Sequence, residues 1–248
     1  MTDSLSIHQG TTELTIIVGN GSEQKTFNVE QSVNHNNNLV DVIFVFDTTG
    51  SMDKKIEALL ASCSQFVTES QKLNLDINFA LISFGDILKP EKGDKIVKEV
   101  DLTSDILKIK KGLETITRNC GFGNQGESAF EAIHKAFEIK CRNKAIKSII
   151  LITDEPAHMQ NISSQSIITE LLKREYLTFV IATNEPYYKE MAQKTGGLWK
   201  QISANTKFED ILEIFKDLAK KVIKISGEVL ESGGSVSAYL AARNPTRD

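Results

Sequence analysis

Stretches such as "VIFVF" (42–46), "IILI" (149–152) and "FVIA" (179–182) hold no polar side chain for four or five positions in a row. Runs of that length, rich in β-branched residues, suit strands covered on both faces rather than strands with one wet side. Further strand-like runs are 39–46 as a whole, "INFALISF" (77–84), "KIVKEVDL" (95–102), "IKSIILIT" (146–153), "LTFVIAT" (177–183) and "GLWKQIS" (197–203). Between them apolar residues recur at helical spacing. Met52, Ile56, Leu59, Leu60, Cys63, Phe66 and Val67 share one face, as do Phe130, Ile133 and Phe137. Phe208, Ile211, Leu212, Phe215, Leu218 and Val222 form a third such stripe. Strand–helix alternation of this kind predicts an α/β fold: an open, mostly parallel sheet with helices on both faces. The run at 95–102 follows a short loop with Pro90 and Gly93, which predicts antiparallel pairing at an edge.

Outside that core lie two appendages. "TELTIIVGNGSEQKTFNV" reads as two β-runs around a Gly-Asn-Gly-Ser turn, and "NHNNN" (34–38) as a polar linker. Residues 1–38 are therefore expected to be an N-terminal hairpin and linker, 39–226 the main domain, and 227–248 a flexible or docking tail. Net charge is −4, with both signs interspersed, so no electrostatic footprint for nucleic acid exists. The basic run 216–224 alternates with Leu218, Val222 and Ile223 and reads as a solvated helix face. No apolar run reaches membrane-spanning length. Cys63, Cys120 and Cys141 are odd in number and lack zinc-ligand spacing, so a reduced, cytoplasmic protein is expected.

The chemistry gathers where the first long strand ends. "FVFDTTGSM" puts Asp47, Thr49 and Ser51 on one tight loop before a helix. A carboxylate with hydroxyls is a hard-oxygen set, suited to Mg²⁺ or Mn²⁺ rather than zinc. The alternative is local capping: Ser51 at a helix start, Asp47 on loop amides. A second buried strand, in "IILITDEPAH", also ends in an acid, Asp154. A third loop, "CGFGNQGESAFEAI" (120–133), offers Asn124, Glu127 and Ser128. Three oxygen-rich loops at one sheet edge favour a metal site over three coincident caps, since ligands collect outside the carboxyl ends of strands.

The ordered set D-T-T-G-S-M, "FALISFGD", "DLTSD", "GNQGESAFEAI", "LITDEPAH" and "KTGGLWKQI" resembles the von Willebrand factor type A (vWA) domain over roughly residues 39–225. The resemblance implies a Rossmann-like, six-stranded, mostly parallel sheet with one antiparallel edge strand. It also implies a metal-ion-dependent adhesion site (MIDAS) in which Asp47, Thr49 and Ser51 hold a divalent cation and Asp154 helps from its own loop. In that family a partner protein's carboxylate often fills the open position, and the resemblance implies movement of the last helix (206–225). Many family members have Thr on the third loop where this chain has Glu127. That extra carboxylate would make the metal less electrophilic, unless Asn124 or Ser128 serves instead. Glu127 is kept with Asp47, Thr49, Ser51 and Asp154 as the expected ligand set. The implied protein is a bacterial, non-enzymatic adaptor of a larger assembly, ATPase-associated or defence-type, without membrane insertion.

Three rivals weigh less. Asp47 in D-T-T-G-S resembles the phosphorylated aspartate of Mg²⁺ phosphotransferases, but Lys does not follow it and no later G-D-x-x-x-D exists. An aspartic protease needs a second copy of its motif. A hydrolase built on Ser51, His158 and Asp154 lacks G-x-S-x-G. A structural domain with a vestigial metal site remains. Trp199 is expected in the core, Asp86 in a turn and Asp105 as a helix cap.

Overall fold

The computed structural model describes residues 12–18, 23–29, 38–87, 95–116 and 126–243. Asn124, Cys120, the turn at 19–22 and the end of the expected tail (244–248) lie outside them. The chain divides into two compact units, 1–37 and 38–248. In the first, β1 (Thr12–Val18) pairs antiparallel with β2 (Glu23–Val29), Thr12 opposite Val29 and Val18 opposite Glu23.

The second unit is built on six strands: β3 (Leu39–Asp47), β4 (Asp76–Phe84), β5 (Ile96–Thr103), β6 (Ile146–Ile152), β7 (Tyr176–Ala182) and β8 (Trp199–Gln201). Their spatial order is β5-β4-β3-β6-β7-β8. All pair in parallel except β5, which runs antiparallel to β4 with register shifts around Leu81. This is the expected fold, with the antiparallel strand at the expected edge. Alternation along β3 divides the core in two. Val42, Phe44 and Phe46 point to one face of the sheet, Ile43 and Val45 to the other, and all are fully buried.

The first face is covered by α1 (Asp53–Lys72), α2 (Ile106–Thr115) and α6 (Phe208–Glu231), the second by α3 (Ala129–Ala136), α4 (Ser164–Lys173) and α5 (Pro186–Lys194). Phe44, Phe66 and Phe79 lock α1 onto the sheet, with ring centroids 5.4 to 6.2 Å apart. Asp105 caps α2 as expected, accepting from the Leu107 amide at 2.9 Å.

At the carboxyl end the described residues are mostly helical. α6 does not stop near Gly227 but runs on to Glu231, and α7 (Val236–Arg243) follows, with Val236 and Tyr239 in the core. One glycine costs a helix only about 1 kcal/mol, which the buried Ile223 and Val229 on either side outweigh. Trp199 is half-buried rather than core: its indole donates to the Thr183 carbonyl at 3.3 Å, and the Lys189 ammonium lies 4.6 Å from the ring centroid. Among the described residues no helix is long and apolar enough to cross a membrane.

Candidate metal site at the strand switch point

β3 connects onward to β4 on one side, whereas β6, its other neighbour, connects to β7 on the far side. Chains leaving in opposite directions open a crevice between the carboxyl ends of β3 and β6. Phe46 pairs with Ile152, so Asp47 and Asp154 emerge from adjacent strands at nearly the same level. The Thr48 amide and hydroxyl both donate to the Phe84 carbonyl, at 2.9 and 3.0 Å, pinning the turn to β4. Asp47 Oδ1 accepts from the Thr49 amide at 2.9 Å, a side-chain turn that makes the loop tight. Gly50 does not enter the left-handed region; the aspartate, not the glycine, bends the chain.

The hydroxyls do not cap helices. Neither the 3-10 turn Gly50–Met52 nor α1 has a side-chain cap. Instead Thr49 Oγ1 donates to Asp47 Oδ1 at 2.8 Å, and Ser51 Oγ donates to Asp154 Oδ1 at 2.7 Å. The two hydroxyl oxygens lie 3.4 Å apart. A hydroxyl that spends its proton on a carboxylate keeps its lone pairs for a cation. Asp47, Thr49 and Asp154 are buried while Ser51 is exposed, so the group has one wet side. Four side chains thus present hard oxygen to one place, and the donor set fits a magnesium-like ion.

Glu127 is buried on the neighbouring loop. Its amide donates to the Pro156 carbonyl and its carbonyl accepts from the His158 amide, both at 2.9 Å. These bonds form an isolated parallel bridge with Ala157. Among the described residues no group of three or more His, Cys, Asp or Glu side chains is placed to hold a metal ion. Ser128 turns elsewhere, accepting from the Ile87 amide at 3.0 Å and lying 3.4 Å from Asp86.

Burial pushes the Asp47 carboxyl from 3.8 up to about 7; hydrogen bonds from Thr153 and Thr49 oppose the rise and the charge of Asp154 adds to it. Burial first, with Asp154 second, also raises Glu155. The Tyr188 phenol, fully buried, is raised by burial and further by Tyr187, Asp47, Glu185 and Glu127.

Three features escaped the reading of the sequence. Thr153 Oγ1 donates to Asp47 Oδ2 at 2.6 Å from the residue before Asp154. Asp86, expected in a simple turn, is fully buried and 3.1 Å from His158 Nε2. That imidazole packs so closely on Gly126 (φ 99°) that a Cβ there would meet it at 2.8 Å. Third, Lys55 is 1% exposed and donates to Asp154 Oδ2 and the Ser51 carbonyl, both at 2.7 Å. Its signal was visible: a lysine one turn after Ser51, inside the stripe of Met52, Ile56 and Leu59.

Known structures share the architecture. The crystal structure of the conserved hypothetical protein BatB from Bacteroides thetaiotaomicron is 18% identical, with TM-score 0.56 over 75% of this chain and 98% of that one. The VWA domain of SpRpn10 is 13% identical, with TM-score 0.55 over 71% of this chain and 94% of its own. Proximal thread matrix protein 1 (PTMP1) of the mussel byssus is 17% identical at TM-score 0.52, over 74% of this chain and 46% of that longer one. At these identities the likeness is one of fold. No curated protein matches the sequence. The von Willebrand factor A domain profile matches residues 41–228, most of the chain and all but the first two residues of the six-stranded sheet, and the chain belongs to that family.

Proposed function

We propose that this domain is a divalent-cation-dependent protein-binding module, with Asp47, Thr49 and Ser51 holding Mg²⁺ or Mn²⁺ and Asp154 supporting them. Domains of this family are generally non-enzymatic interaction modules. One observation carries the metal reading: two hydroxyls from one loop give their protons to two carboxylates from adjacent strands, leaving oxygen lone pairs around an exposed position. The bound ion would supply a Lewis-acidic point for an acidic group on a partner protein. Glu127, on the next loop, adds negative charge nearby and would disfavour acidic partners lacking other contacts. An adaptor role in a larger bacterial, cytoplasmic assembly follows by family analogy. Asp47 is a poor aspartyl nucleophile, because it is fully buried with both oxygens engaged.

The test is thermal. Mg²⁺ at about 100 times its Kd stabilises the folded protein by roughly 2.7 kcal/mol. Asp47→Ala abolishes that gain, and wild type and variant responding alike to Mg²⁺ and EDTA would refute the site. For the partner, capture from the source cell in Mg²⁺ must be lost in EDTA and in Asp47→Ala.

A further inference from the structure

Among the described residues Lys55 is the only lysine or arginine that is buried. Its ammonium has three N–H donors and three acceptors: the Ser51 carbonyl at 2.7 Å, Asp154 Oδ2 at 2.7 Å and the Ala204 carbonyl at 3.4 Å. Every N–H of the ammonium thus has an acceptor, and its place one helical turn beyond Ser51 sets it beside the proposed ion. Burying carboxylates is costly unless a positive group lies among them, and Lys55 supplies one from within the chain. It also divides Asp154 between two tasks: Oδ1 accepts from the Ser51 hydroxyl, while Oδ2 is taken by the ammonium. That second oxygen is offered to an incoming ion only in competition with a tethered positive charge.

We infer that Lys55 is a resident counter-charge of the crevice, which holds the ion-free form together and weakens divalent-ion binding into an exchangeable range. The inference rests on the metal reading above and adds to it the residue that sets affinity. A lysine serving packing alone would predict the reverse, because its loss would loosen Ser51 and Asp154 and weaken the site.

Titration calorimetry of MgCl₂ and MnCl₂ into wild type, Lys55→Met and Lys55→Gln separates these cases, with melting in EDTA as a second readout. Both variants bind the ions at least about tenfold more tightly than wild type, the effect of removing one adjacent buried charge. Both also melt lower in EDTA and recover in Mg²⁺. Lys55→Gln retains an amide donor for the Ser51 carbonyl, so it serves where Lys55→Met does not fold without an ion. A wild type that ignores Mg²⁺ while either variant binds it also supports the inference. Wild type that binds Mg²⁺ with variants equal or weaker overturns the inference and leaves the metal site standing. All three proteins ignoring both ions would instead overturn the metal site itself.

Discussion

Asp47 Oδ1 accepts two hydrogen bonds and Oδ2 a third, yet burial outweighs them and its folded pKa of about 7 stands above the unfolded 3.8. The folded state therefore holds this proton more tightly. Its contribution to stability is complete below about pH 4 and is lost as pH rises through 7, at roughly 1.4 kcal/mol per unit, about 4 kcal/mol in all. Ions compete with that proton, so the Mg²⁺-dependent rise in Tm should be larger at pH 8 than at pH 5.5; a rise that shrinks with pH contradicts the assignment. Cys63 offers a simpler check. Burial pushes its thiol up to about 12, so it resists iodoacetamide until the protein unfolds. The acids and hydroxyls of the site were legible in the sequence because strand ends and a tight spacing mark them. Thr153's role and the partner of Lys55 were not, since each contact joins an aspartate to a distant segment or to the neighbouring strand, and only the β3–β6 pairing brings the partners together.

At the level of elements, β3 carries a buried aspartate near each end. Asp41, fully buried near its start, accepts from Arg142 Nε at 2.7 Å and from the Arg142 amide at 2.6 Å. Arg142 also reaches Asp76 Oδ1 at 2.7 Å, tying β3, β4 and the segment before β6 together away from the crevice. Arg142→Ala leaves Asp41 without its cation and should cost about 3 kcal/mol in urea unfolding. A variant within about 0.5 kcal/mol of wild type would show that water replaces the arginine. Long apolar strands were readable from sequence within a residue or so, because burial on both faces leaves little choice of period. The last strand was not: of 197–203 only Trp199–Gln201 pairs as strand. Gly197 explains the late start, since a Cβ there would lie 2.1 Å from the Thr178 carbonyl, and the backbone presses on β7 before pairing begins. Gly197→Ala should accordingly lower Tm, by more than a surface alanine substitution does.

For the molecule as a whole, the division after Asn37 makes a simple forecast. Deleting residues 1–37 should leave cooperative melting of the remainder and its Mg²⁺ response unchanged, and a broadened transition would show that the hairpin unit completes the fold. The two margins of the sheet carry a further consequence. A free strand margin is a template on which another chain can continue the hydrogen-bond ladder. Here one margin is the three-residue β8. The other, β5, places Lys98, Glu99 and Asp101 along a ladder whose register slips around Leu81. Newly made copies crowded together would find too short a template on one side and an irregular, charged one on the other. Recruitment by runaway strand addition is thereby discouraged at both margins of the sheet.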